Sequence, residues 1–67
     1  MNYYVNRVAQ SNGDHEVHTE TCAWLPSIEH RLYLGTFYAC GSAVIEAQKY
    51  FYQSNGCYYC SYTCHTS

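Results

Sequence analysis

Near the start of the chain, aromatic and β-branched positions are interleaved with polar ones: Tyr3, Val5 and Arg7 against Tyr4, Asn6 and Val8. This pattern predicts a strand over residues 3–9, with an alternation too imperfect to choose its buried face. Residues 11–14, Ser-Asn-Gly-Asp, read as a hairpin turn, because Asn-Gly supplies the positive φ angles of a tight connection. Residues 15–18 return as a second strand with one clear apolar position, Val17. Residues 21–26 read as a single helical turn ended by Pro26, with Trp24 and Leu25 in the core or at its edge. Residues 31–34 predict a third strand closed by Gly35, burying Leu32 and Leu34 and exposing Arg31 and Tyr33.

The period changes over residues 40–52. Cys40, Val44, Ala47 and Phe51 recur at helical spacing, Ala43 widens the stripe, and Ser42, Glu46 and Lys49 mark the wet side. The helix lacks a good cap at Ala39, and residues 53–56 stop it, with Asn55 or Gly56 suited to a left-handed terminus. The expected architecture is α+β: a small antiparallel β-meander with one helix packed across it and a C-terminal zinc knuckle, all in one domain spanning residues 1–67.

Composition sharpens this picture. A core of this size rarely supplies more than about 3–5 kcal/mol, so a staple is expected. The cysteines number five, so disulfides alone leave a thiol over. Residues 1–7 have no apolar stretch of the signal-peptide kind. The expected setting is therefore reducing and cytoplasmic, where cysteines more often hold metal or do chemistry. No run is long and apolar enough to span a bilayer. The formal charge is −2, with Arg7, Arg31 and Lys49 the only strong bases. Three thiolates around a divalent ion make the chain about one unit more negative still. No basic face for duplex nucleic acid can be assembled from that set. The nine tyrosines suit a small fold, since each buries a ring and leaves its hydroxyl wet.

The cysteines and histidines form two clusters, His18-x3-Cys22 and Cys57-x2-Cys60-x3-Cys64-His65. Structural zinc takes four nitrogen and sulfur ligands, built from pairs close in sequence. Cys57 and Cys60 form one such pair and His18 and Cys22 the other. Cys64 is the first reserve, and Cys64 or His65 can displace one of the four. A Cys57–Cys60 or Cys57–Cys64 disulfide is the competing use of these sulfurs. Cys40, on the apolar stripe, reads as a buried inert thiol, and His15 and His30 as solvated surface residues. Glu16 and Glu20 flank His18 as groups that solvate or orient it.

Three stretches also carry a resemblance: Val17-His18-x3-Cys22-x2-Leu25-Pro26, Leu34-Gly35-x-Phe37-x2-Cys40-x2-Ala43-x3-Ala47, and Gly56-Cys57-x2-Cys60-x3-Cys64-His65. Over roughly residues 14–65 the chain resembles short bacterial proteins similar to the N-terminal zinc domain of Ada-type methylphosphotriester DNA repair proteins. The resemblance implies a small α/β zinc fold and supports His18, Cys22, Cys57 and Cys60 as ligands. In the Ada-type domain the first cysteine of Cys-x3-Cys accepts the methyl group, and here His18 stands at that position. A neutral imidazole is no comparable acceptor, so the repair chemistry is not expected to carry over.

The functional expectation is a monomeric, non-catalytic, structural zinc module for interaction with protein, and not with membrane. A diverged Ada-like binder of single-stranded nucleic acid, stacking bases on exposed tyrosines, is the first alternative. A thiol redox protein is the second, weakened because Cys57-x2-Cys60 follows the only long helix instead of opening one.

Overall fold

The computed structural model describes residues 1–66. Its sheet is four-stranded: β1 (Asn2–Asn6), β2 (His15–Thr19), β3 (Arg31–Thr36) and β4 (Ser54–Gly56). One helix, α1 (Cys40–Ala47), packs against it, and single 3-10 turns lie at Ile28–His30 and Tyr62–Cys64. The class is α+β, as the sequence predicts.

The meander is corrected. The strand order is β3-β1-β2-β4, with β1 antiparallel to both β2 and β3, and β4 parallel to β2. The third strand cannot lie beside the second because β4 occupies that edge. Ser54-Asn55-Gly56 has the composition of a turn, yet it pairs with His15-Glu16-Val17. Neither Asn55 nor Gly56 has positive φ, so neither caps the helix in the left-handed region. Tertiary hydrogen bonds override the local preference here. The buried Asp14 carboxylate accepts from Gln53 Nε2 (2.7 Å), Asn55 Nδ2 (3.3 Å) and Asn12 Nδ2 (3.2 Å), tying β4 to the start of β2.

The first strand ends early. Asn6 Oδ1 accepts from the Val8 N–H (2.9 Å), bending the chain and leaving Val8 exposed. The following loop is wider than a two-residue hairpin. Only Gly13 takes positive φ (94°), and Asn12 instead turns its side-chain oxygen to the Asp14 N–H (2.9 Å). Residues 21–26 form turns and no helix, with the Cys22 and Leu25 N–H groups donating to the Thr19 and Cys22 carbonyls.

The helix is shorter than the stripe suggests. Cys40, Ala43 and Ala47 are buried along it, but the Tyr50 and Phe51 N–H groups both fold onto the Ala47 carbonyl (2.9 Å each). Phe51 then stacks on His15, with ring centroids 4.1 Å apart. That contact removes His15 from the open surface expected for it, whereas His30 is exposed. The core gathers Tyr3 and Val5 from β1, Val17 from β2, Leu34 from β3 and the helix stripe. Leu32 is half-buried against this core, and Tyr33 is exposed as expected. Arg31 is half-buried, its guanidinium 4.9 Å above the Tyr4 ring centroid.

Cys40 is bonded to Cys64 in a disulfide, with Cα atoms 6.2 Å apart. This corrects both the inert thiol expected at Cys40 and the reserve ligand expected at Cys64. The alternative pairings of Cys57 are also set aside, because Cys57 and Cys60 are free. The C-terminal turn that carries Cys64 packs closely on Gly56. A Cβ there would lie 2.7 Å from the Ser61 carbonyl oxygen and 2.8 Å from Cys64 Cβ. Gly56→Ala is expected to destabilise the fold by about 1–3 kcal/mol, since backbone atoms cannot yield. Gly41→Ala meets nothing within 4 Å on the helix and should stabilise it by about 0.5–1 kcal/mol. Urea midpoints of the two variants check the pair, and equal midpoints would contradict the packing account.

Candidate metal centre

Strand alternation places His18 on the sheet face opposite Val17. Even so, His18 is 1% exposed, because the loop after β2 and the turn after β4 fold over that end of the face. The Cys57 N–H donates to the Val17 carbonyl (2.9 Å), extending the parallel pairing by one step. The Ser61 N–H closes a turn on the Cys57 carbonyl (2.9 Å), which brings Cys60 back towards the sheet. Thr19 accepts the Cys22 N–H (3.2 Å), which turns Cys22 towards the same point.

The four residues predicted as ligands meet there. One candidate ligand atom from each of His18, Cys22, Cys57 and Cys60 lies within 4.8 Å of every other. The Cys22 and Cys57 sulfurs are 3.9 Å apart, against about 3.8 Å for two sulfurs at 2.3 Å from a tetrahedral ion. His18 Nδ1 is 4.0 Å from the Cys60 sulfur, so a contraction of a few tenths of an ångström would seat it, given Zn–N distances of about 2.0–2.1 Å. His18 Nε2 is buried without a hydrogen-bond partner, and the nearest Glu16 oxygen is 3.7 Å away. Glu16 thus stands where a carboxylate would orient a metal-bound imidazole. Glu20 turns aside to accept the Asn2 N–H (3.2 Å).

Each sulfur also accepts one backbone N–H: Cys22 from Trp24 (3.4 Å), Cys57 from Tyr59 (3.4 Å) and Cys60 from Thr19 (3.3 Å). Such donors stabilise sulfur most when it is negative. Without a cation, however, three thiolates cannot share this space. Burial, reinforced by Cys60, pushes the Cys22 thiol up to about 12, and burial also raises Cys57. Burial opposes ionisation of Cys60 too, but hydrogen bonds from Cys22, the Thr19 N–H, Ser61 and Cys57 together hold it below the ordinary thiol range. Burial pushes His18 down to about 4, so its ring is neutral at physiological pH and carries a free lone pair. Neutral imidazole, three clustered sulfurs and three aimed N–H donors form a set that a divalent cation completes.

Cys64 and His65 are not in the cluster. Cys64 is consumed by the disulfide, and His65 Nδ1 lies 3.0 Å from the Gly56 carbonyl oxygen. Trp24, expected in the core or at its edge, is 61% exposed and stacks on Tyr59 with centroids 5.3 Å apart. The Cys40–Cys64 bond was not expected, and its one signal in the sequence is that Cys22, Cys57 and Cys60 as ligands leave a pair of cysteines over. Among the described residues no helix is long and apolar enough to cross a membrane. Comparison of the chain with family models, curated proteins and solved structures finds no match.

Proposed function

We propose that the chain is a structural zinc-binding module, without catalysis of its own, that presents a surface to a protein partner. The observation that carries this reading is the convergence of one imidazole and three sulfurs within 4.8 Å, each sulfur already met by a backbone donor. A tetrahedral set of three sulfurs and one nitrogen suits zinc above the harder divalent ions. Four protein ligands leave no coordination position for substrate, as a closed structural site requires. His18, in place of the Ada-type methyl-accepting cysteine, keeps that chemistry outside the proposal.

Metal analysis of the purified chain tests it, with one zinc per chain expected. Cobalt(II) substituted at the site should show sulfur-to-metal charge transfer and the strong visible bands of a tetrahedral ion. Cys57→Ser should lower metal affinity by roughly 10–100-fold or more, as loss of even supporting residues does. A chain that binds cobalt only in octahedral form, or equally well after Cys57→Ser, would refute the ligand set.

A further inference from the structure

The two metal-ligating loops carry the largest aromatic grouping on the surface. Trp24 follows Cys22, Tyr58 and Tyr59 separate Cys57 from Cys60, and Tyr62 opens the last turn. All four are exposed, yet their rings form one continuous set. Trp24 stacks on Tyr59, and Tyr58 stands edge-on to Tyr59 (5.3 Å), Tyr62 (5.2 Å) and His65 (5.5 Å). The stacked pair is mounted on the metal centre itself, since Trp24 and Tyr59 are the residues whose N–H groups donate to Cys22 and Cys57.

The charge around these rings selects their partner. The chain carries −2, and a dication held by three thiolates would add about one further negative charge at the sulfurs that the Trp24 and Tyr59 N–H groups meet. The chain's own strong bases are engaged elsewhere. Lys49 pairs with Glu46 at 3.0 Å. Arg31 lies over Tyr4 and donates to the Pro26 carbonyl (3.3 Å), and Arg7 donates to the Arg31 carbonyl (3.4 Å). Aromatic faces attract cations and favour arginine, and a negative centre behind the rings adds to that attraction. Polyanions meet the opposite field.

We propose that Trp24, Tyr58, Tyr59 and Tyr62 form a docking surface for a cationic peptide segment, which lays an arginine or lysine side chain against the rings. This deepens the interaction-module reading and rests on it. Trp24 is the only tryptophan, so its indole signal reports on the surface directly.

The test titrates the zinc-loaded, isotopically labelled full chain with a short arginine peptide at about 0.15 M salt, where long-range attraction is screened. Saturable shifts are expected at the Trp24 indole and at residues 58–62, with none from a short glutamate peptide. Trp24→Ala and Tyr59→Ala should each weaken binding by about tenfold while keeping one zinc and a dispersed spectrum. Tyr38→Ala, an exposed aromatic outside the set, should change nothing. No shift, shifts scattered over the surface, equal binding of a short oligothymidylate, or self-association that buries the rings would each overturn the proposal. A zinc-loaded chain that ignores the peptide refutes the docking surface alone. Peptide binding by a chain that takes up no metal supports the surface and refutes the metal module beneath it.

Discussion

A strong chelator is expected to collapse the dispersed amide spectrum of this chain, leaving a compact but unstructured form closed by one disulfide. The centre joins four segments: the end of β2 through His18, the loop after it through Cys22, the exit of β4 through Cys57 and the following turn through Cys60. The apolar core is thin, since the helix contributes Cys40, Ala43 and Ala47 and the central strands Tyr3, Val5 and Val17. A core of that size supplies only a few kcal/mol. Zinc binding in finger peptides contributes roughly 10–16 kcal/mol of apparent free energy, which in such folds is folding free energy. Without an ion the site holds thiols and an imidazole that cannot replace it, because burial keeps Cys22 and Cys57 protonated and the His18 ring neutral. Amide spectra recorded with and without chelator, alongside metal analysis, decide the matter. A complete native spectrum from a metal-free chain would end the structural-zinc reading.

Removing the Cys40–Cys64 bond should have the second-largest effect. The bonded residues are 24 apart in sequence, and closing a loop of that length in the unfolded chain is worth about 3–4 kcal/mol on the entropic account. The Cys40→Ala, Cys64→Ala double variant is therefore expected to lose about 3 kcal/mol, and to melt more than about 10 °C lower for a domain of this size. An isolated buried thiol at Cys40 would give only about 1 kcal/mol. Stoichiometry separates the two roles that Cys64 can play. One zinc should remain in the double variant, because the ligand cluster contains neither residue. Metal loss from this variant together with metal retention in His18→Ala would reverse the assignment.

The centre was legible in the sequence because its ligands come as two local pairs. His18-x3-Cys22 and Cys57-x2-Cys60 carry their geometry in their spacing, and only the distance between pairs needed the fold. The disulfide was not legible for the converse reason. Cys40 occupies an apolar helix position and Cys64 a turn 24 residues later, and only the tertiary fold brings them together. That bond is of a kind that persists mainly in oxidising compartments, against the reducing setting expected from the lack of a signal-peptide-like stretch at residues 1–7. The strands with β-branched and aromatic residues were found, although β1 is shorter than its pattern because of the Asn6 side chain. Strand β4 was hidden, since Ser-Asn-Gly has no strand propensity and is held by Asp14 and by pairing to β2. Trp24 was misplaced because a large apolar residue reads as core, and the sequence does not reveal a neighbouring ring, here Tyr59, that lets it remain outside.

The division of the five cysteines into three clustered thiols and two in a bond bears on the order of assembly. In the reduced, unfolded chain all five are thiols, and any two of them can be oxidised to a bond. An oxidant that joins a cluster cysteine to Cys40 or Cys64 gives a product that can form neither the centre nor the native bridge. Metal acting first takes Cys22, Cys57 and Cys60 out of reach and leaves Cys40 and Cys64 only each other. On the zinc reading the ion would be a protecting group for three sulfurs, and the history of the chain, metal before oxidant or the reverse, would separate a productive fold from a trapped one.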